Sequence, residues 1–451
     1  MNPYIQDVLS DLSKRYAHQP LFLQAAEEVL SSLTPLLESN PVYKKNKILE
    51  RIVEPERTIS FRVDWVDDKG EIQSNHGFRI QYNSALGPYK GGLRFHPSVN
   101  LGVLKFLGLE QTFKNSLTQL SIGGGKGGSD FDPKGKSDME IMHFCQAFMN
   151  ELYRHIGPRV DVPAGDIGVG GREIGYLYGQ YKKLTAHYEG VLTGKPLLYG
   201  GSLARTEATG YGLVYFAQEM LAEKGRSLEG CTCTVSGAGN VAIYCVEKLH
   251  KVGALPVTIS DSRGTIYQKE GINVDVLKQV KEVERASLTR YKELCPSAQY
   301  IPVSEYPEGM NATWAVPCDV AFPCATQNEV SLKAAQTLIK NGCFAVAEGA
   351  NMPSCLDAIH AYEDAGILYA PSKAANAGGV ATSQLEMAQN AGMVHWTFDE
   401  VDEKLKKIMA NIYDQASSTA KEFNAPGKLL LGANIAGFRQ VADAMLTQGI
   451  C

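Results

Sequence analysis

The sequence has no CxxC pair, and its nine histidines form no HxxxH or HxH cluster, so no zinc site or other metal centre is expected. Its ten cysteines stand at irregular spacings inside apolar segments, as Cys231 and Cys233 do on one expected strand. That pattern fits reduced, buried thiols of a cytoplasmic enzyme and excludes a disulfide framework. Charge of either sign is scarce in blocks, and the net value is only −5. Without a basic patch, nucleic acid is not an expected partner. No apolar run approaches the roughly 20 residues that a membrane span needs. The opening MNPYIQDVLSDLSKRYAHQP has no apolar core of a secretory signal, so no membrane partner is expected. The GKS at Gly135–Ser137 lacks the earlier glycine of a P-loop, because Asp130 stands there.

What is present is a chain of 451 residues, too long for one core, with a change of period along it. Phe22, Ala25, Ala26, Val29, Leu30 and Leu33 recur at helical spacing, so residues 3–52 are expected to be helical. Ile59, Phe61, Val63 and Trp65 then alternate with polar residues and predict a half-buried strand. Asp67-Asp68-Lys69-Gly70 is turn chemistry, and residues 71–85 continue the sheet. Residues 87–100 read as a glycine-rich loop carrying Lys90 and Arg94. Residues 121–133, SIGGGKGGSDFDP, read as a second glycine loop around Lys126, with room for a ligand against bare backbone. The string K-G-G-x-x-F occurs in both, from Lys90 to Phe95 and from Lys126 to Phe131. Between them lies a helix that carries Gln111 and Lys114 on one face. Asp166 falls in a Pro/Gly-rich stretch before a helix, where both an N-cap and a proton-transfer role are open to it. Residues 192–212 are rich in small and polar residues and are the expected hinge.

Residues 231–264 have the order strand, glycine turn, helix, strand. The turn Gly237-Ala238-Gly239-Asn240-Val241-Ala242 is a G-x-G-x-x-A form of the dinucleotide fingerprint. Its backbone N–H groups at a helix N-terminus suit a pyrophosphate. Asp261 ends the second strand, where an acidic residue commonly accepts ribose hydroxyls, which would indicate NAD. Ser262 and Arg263, with Arg285 and Arg290 downstream, instead suit a 2′-phosphate, and NADP is the expected cofactor with NAD as the alternative. Further apolar strands run into loops bearing Thr326, Asn351 and Asn376, at the strand ends where open α/β sheets bind ligands. The fold class is therefore α/β: a first domain with a mixed sheet, then a doubly wound, Rossmann-type dinucleotide-binding domain. The expected divisions are 1–200 for substrate and assembly, 201–424 for the dinucleotide, and 425–451 for a last helix returning to the first domain.

GPYKGGLRF, GGGKGGSDFDP, DVPAGDIGVGGREIGY, GSLARTEATGYG, GAGNVA, PCATQN and SKAANAGGV, in this order, resemble the hexameric glutamate dehydrogenases, and Asp261-Ser262 resembles the pair of their NADP-using members. The resemblance implies reversible oxidative deamination of L-glutamate to 2-oxoglutarate and ammonia by a homohexamer. It implies Lys126 as the catalytic lysine and Asp166 as the proton-transfer carboxylate. Lys90 and Ser383 would hold the substrate side-chain carboxylate, and Gln111 and Lys114 the α-carboxylate. Thr209, the 237–241 turn, Asp261 to Arg263, Thr326, Asn351 and Asn376 would bind the dinucleotide. Three lysines crowded together, and burial, would lower the Lys126 pKa. A branched-chain or aromatic amino-acid dehydrogenase would have apolar residues in place of Lys90 and Ser383. A Rossmann-type binding protein without activity would lack a catalytic group, and none is missing.

Overall fold

The computed structural model describes residues 2–450, and they gather into two compact units. The first holds the chain through Leu203 together with Val380–Val401 and the segment from Asn434 onward. The second holds Ala204–Gly379 and Asp402–Ala433. Neither unit is one continuous stretch. Among the described residues, no helix is long and apolar enough to cross a membrane.

The first unit opens with short helices, the longest being Pro3–Arg15 and Pro20–Ser31. Each begins with proline, whose fixed φ and missing N–H suit the first helical position. The apolar stripe of the second, from Phe22 to Leu30, is buried. Five strands follow: β1 (Arg57–Val66), β2 (Ile72–Asn83), β3 (Tyr89–Phe95), β4 (Gly124–Ser129) and β5 (Asp161–Gly165). They form a mixed sheet in the order β1-β2-β4-β3-β5, with β2 antiparallel to its neighbours and β4, β3 and β5 parallel.

Two sequence expectations are corrected here. The stretch around Lys90 is strand β3, and the glycine run around Lys126 is the central, wholly buried strand β4, not a loop. Glycine has poor strand propensity, so the run reads as a loop until its neighbours are known. Close approach is what requires it. A Cβ on Gly124 would lie 2.0 Å from Thr112 Oγ1 on the Leu101–Leu117 helix, and one on Gly91 of β3 would lie 1.7 Å from the Gly125 carbonyl oxygen. The bare backbone admits neighbouring protein, not the ligand that the sequence suggested. The repeated K-G-G-x-x-F has a packing counterpart. Leu93 of β3 is in register with Gly127 of β4, and the Phe95 and Phe131 rings meet edge-on at 6.1 Å in one aromatic cluster with Phe144.

The second unit is built on a parallel sheet. Its strands are β6 (Thr232–Val235), β7 (Leu255–Pro256), β11 (Val320–Phe322), β12 (Ala345–Ala347) and β13 (Leu368–Ala370), in the order β13-β12-β11-β6-β7. A small antiparallel sheet of β8 (Thr258–Ser260), β9 (Gly264–Tyr267) and β10 (Gln299–Pro302) adjoins it. The chain leaves β6 toward β7 and later returns to β11 on the other side of β6. That reversal is the switch point at which open α/β sheets bind ligands beyond the carboxyl ends of the strands.

Candidate active site

In the first unit, Lys126 lies on β4 in register with Ile80 of β2, and its side chain is 6% exposed. Its Nζ stands 3.3 Å from Asp166 Oδ1, and Arg94 Nε donates to Asp166 Oδ2 at 2.7 Å. A carboxylate is thus held between a lysine and an arginine. Asp166 does not cap the following helix. The Gly171–Thr185 helix starts after Gly170, whose N–H is taken by Glu173 Oε2 at 2.8 Å, while the Asp166 carbonyl closes a tight turn with Val169 N–H.

Burial drives the Lys126 ammonium below its ordinary value. Asp166 opposes that fall, and Arg94 and Arg79 add to it. Arg94 and Arg79 thus join burial in disfavouring the Lys126 ammonium. Burial by itself would push the Asp166 carboxyl up, but Lys126 and Arg94 outweigh it and hold the group below the usual carboxylate range. Beneath the pair, Arg79 and Asp161 form a fully buried ion pair: Nε to Oδ2 is 2.9 Å, a second contact joins Nη2 to Oδ1, and Nη1 donates to the Gly91 carbonyl. Gln81 Nε2 adds a 3.0 Å bond to Asp161 Oδ2. Sequence reading missed this pair, because its members stand far apart in the chain and lie on β2 and β5, which β4 and β3 separate in the sheet.

Lys90 is 1% exposed and donates through Nζ to Thr193 Oγ1 at 2.7 Å. Gln111 donates to Asn115 Oδ1 at 2.6 Å, and Asn115 in turn donates to the carbonyls of Lys90 and Gly123. One buried asparagine therefore fixes Gln111 and the Lys90 backbone together. It carries no motif in the sequence. Lys114 is half-buried one turn beyond Gln111 on the same helix, and Ser383 is buried on the Gly378–Gly392 helix.

In the second unit, the glycine turn behaves as its sequence requires. Gly237 takes φ +84°, and a Cβ there would meet the Cys324 carbonyl oxygen at 2.8 Å, so the turn after β6 touches the loop after β11 at the switch point. Gly239 precedes the Asn240–Lys251 helix with no side-chain cap, and nothing lies within 4 Å of the place its Cβ would take. The open first-turn N–H groups and the free space fit a pyrophosphate. Val241 is half-buried one residue into that helix.

Asn376 donates to Asn351 Oδ1 at 2.9 Å and to the carbonyls of Gly349 and Ala350, while its own Oδ1 is buried with no partner. That orphan acceptor fits an N–H donor such as a carboxamide. Thr326 is exposed after β11, its N–H donating to Glu329 Oε1 at 3.3 Å, and the Thr209 hydroxyl lies beside Gly379.

The acidic residue after β8 is engaged differently from the expectation of a ribose acceptor. Asp261 Oδ1 accepts from Arg263 N–H at 2.9 Å, Oδ2 accepts from Leu288 N–H at 3.0 Å, and Lys281 Nζ stands 3.6 Å from Oδ2. The carboxylate ties down its own turn and the segment before Leu288, while Ser262 and Arg263 are exposed. Arg290 is committed to Glu284 and Glu293, so of the two downstream arginines it is Arg285, exposed in the left-handed region, that sits outside such a pair of carboxylates.

Comparison with known proteins agrees with these features across both units. Residues 200–449 match the family model described as Glutamate/Leucine/Phenylalanine/Valine dehydrogenase, and residues 55–183 match the Glu/Leu/Phe/Val dehydrogenase dimerisation domain. A curated relative, the NADP-specific glutamate dehydrogenase of Helicobacter pylori, is 62% identical over 447 residues, covering 99% of this chain and 100% of its own length. The crystal structure of Plasmodium falciparum glutamate dehydrogenase is similar with a TM-score of 0.96 at 55% identity, covering 99% of this chain and 95% of that one. A hetero-hexameric glutamate dehydrogenase from Thermus thermophilus, in its Leu-bound form, gives a TM-score of 0.80 at 25% identity, covering 93% of this chain and 98% of that one. On these matches the chain belongs to the Glutamate/Leucine/Phenylalanine/Valine dehydrogenase family.

Proposed function

We infer that the chain is an NADP-dependent glutamate dehydrogenase, interconverting L-glutamate with 2-oxoglutarate and ammonia. The observation that carries this reading is the end-to-end likeness, at 62% identity, to an NADP-specific enzyme of that activity. Bound NADP supplies the hydride acceptor for the glutamate Cα–H bond. The residues around Lys126 account for the rest of the chemistry. Neutral Lys126 Nζ takes a proton from the water that attacks the substrate imine carbon, and its burial disfavours the ammonium form. Asp166 Oδ1, 3.3 Å from that nitrogen, relays to the departing amine the proton that Lys126 takes from the water, and Arg94 on Oδ2 fixes the carboxylate's orientation. Lys90 and Ser383 hold the side-chain carboxylate, and Gln111 and Lys114 the α-carboxylate. Gly237, Gly239, Asn240 and Val241 take the pyrophosphate. Asn376, with Asn351, takes the carboxamide, and Thr209 and Thr326 line the same ligand. Ser262 and Arg263 take the 2′-phosphate, with Asp261 shaping their turn.

Initial rates of NADPH and NADH oxidation with ammonia and either 2-oxoglutarate or 2-oxoisocaproate test the reading. The NADPH and 2-oxoglutarate combination is expected to dominate, and preference for 2-oxoisocaproate would overturn the substrate assignment. A homohexamer located in the cytoplasm completes the proposal. Support comes from the hexameric relative, from β1 as an unpaired sheet edge with outward-facing residues, and from nine free cysteines among the described residues. Light scattering should give six times the chain mass, and a stable monomer would remove the oligomer proposal.

A further inference from the structure

Behind Lys90 lies a second buried ion pair, wholly inside the first unit, which the chemistry above does not use. Lys195 and Glu386 have side chains 1% and 0% exposed, and their Nζ to Oε1 distance is 2.8 Å. Glu386 does more than neutralise a lysine. Its Oε2 accepts from Gly194 N–H at 2.8 Å, and its Oε1 also accepts from Lys195 N–H at 3.4 Å. Lys195 Nζ meanwhile donates back to the Leu192 carbonyl. One carboxylate thus clamps residues 192–195 through backbone and side chain together. Residue 193 in the middle of that clamp is the threonine whose hydroxyl receives Lys90 Nζ at 2.7 Å, and its own N–H donates to the Pro163 carbonyl of β5 at 3.1 Å.

Glu386 also lies on the helix of Ser383, three residues further along, and so on the same face. That face continues its contacts along the same segment: Gln389 Nε2 reaches Ser202 Oγ at 2.8 Å, and Asn390 Nδ2 reaches the Gly200 carbonyl at 2.7 Å. Residues 194–202, part of the stretch 192–212 expected from sequence as a hinge, are therefore held at several points to one helix. The two groups proposed to receive the substrate side chain, Lys90 with its threonine and Ser383, are supported by the two sides of a single ion pair.

We propose that the buried Lys195–Glu386 pair is the positioning device of the side-chain carboxylate subsite, setting the preference for a dicarboxylate substrate by holding Thr193 and the Ser383 helix against Lys90. The inference rests on the assignment of Lys90 and Ser383 to that carboxylate. Neither Lys195 nor Glu386 touches substrate. They act through the position of the groups that do, and an error of about 1 Å in such groups is costly. Removing one member leaves the other buried and unpaired, which displaces the clamp.

The test compares kcat/KM for 2-oxoglutarate with that for 2-oxovalerate, which lacks the second carboxylate, using NADPH and ammonia. For Glu386→Gln the ratio should fall at least about tenfold, with the loss in KM for 2-oxoglutarate and not in KM for NADPH. An equal fall for both oxoacids, leaving the ratio unchanged, would show a merely structural pair and overturn the proposal. If Glu386→Gln does not fold, Lys195→Met/Glu386→Leu replaces both charges with apolar volume while removing the backbone acceptors, and its ratio is expected to fall likewise. Lys90→Met separates the two levels. Loss of preference there with an intact ratio in the Glu386 variants overturns the positioning role alone. An intact ratio in Lys90→Met itself overturns the Lys90 assignment and this inference with it.

Discussion

Burial lowers the proton affinity of Lys126, and Asp166, Arg94 and Arg79 adjust it, so the group gives directional predictions. Lys126→Ala should lower kcat for glutamate oxidation by about 10²–10⁴-fold, the range for a positioned acid–base group, in steady-state assays with near-normal coenzyme KM. In the native enzyme, rate in the oxidative direction should rise with pH as Nζ loses its proton, with the rising limb centred below the ordinary lysine value of 10.5. Arg94 lowers the proton affinity of both Lys126 and Asp166. Arg94→Met should therefore move that limb to higher pH, and a shift to lower pH would contradict the geometry. Asp261 carries a different expectation. If its carboxylate faced the ribose, Asp261→Ala would improve NADPH binding by relieving repulsion. Its oxygens are instead spent on Arg263 and Leu288 N–H groups. The variant should loosen that turn and raise KM for NADPH about tenfold, the scale of one or two lost hydrogen bonds. A fall in KM would show that repulsion is the larger effect.

At the scale of elements, glycine has two separate purposes, and they can be told apart by measurement. Gly124 of β4 faces Thr112 at contact distance, so Gly124→Ala overpacks the sheet against the Leu101–Leu117 helix and should cost roughly 1–3 kcal/mol in denaturant unfolding. Gly239 has open space at its Cβ position and φ −92°, so Gly239→Ala should leave the unfolding midpoint in place while raising KM for NADPH. The contrast also marks what the sequence made legible. The turn at Gly237–Gly239 follows a β-branched strand and opens a helix, so its context is local and the order strand, turn, helix is legible in the sequence. The run at 123–128 has no side-chain alternation at all. Its strand character comes from hydrogen bonds to β2 and β3, contributed by residues about 30–50 positions away, and no window along the chain contains them. The same reason hid Arg79, Asp161 and Asn115, while Lys126 and Asp166 stood out because each sits in a distinctive glycine-rich string.

On the scale of the molecule, the units are assembled from separated stretches, and the second contains a buried acid with a consequence for stability. Glu348 follows β12, is 1% exposed, and accepts from Ser354 N–H at 3.2 Å through Oε1 and from Ser372 N–H at 3.0 Å through Oε2, so it bridges the ends of β12 and β13. Its neighbours are backbone N–H groups and the Ser354 and Tyr369 hydroxyls, and burial outweighs them, pushing the carboxyl up to about 7. In the unfolded chain the same group titrates near its ordinary value of 4.5. Between those two values the folded unit binds the extra proton, so the contribution of Glu348 is fully present below the unfolded value and is lost as pH rises through about 7. The loss is at most on the order of 3 kcal/mol between acid and mildly alkaline solution. Amide exchange of the β12 and β13 peptides should therefore speed up, beyond the intrinsic pH effect, between pH 4.5 and about 7. Glu348→Gln, which keeps the shape and cannot ionise, should make protection of those peptides independent of pH over that interval. Protection that falls equally in the variant would place the titrating group elsewhere, and protection that rises with pH in the native chain would reverse the sign and refute the buried acid altogether.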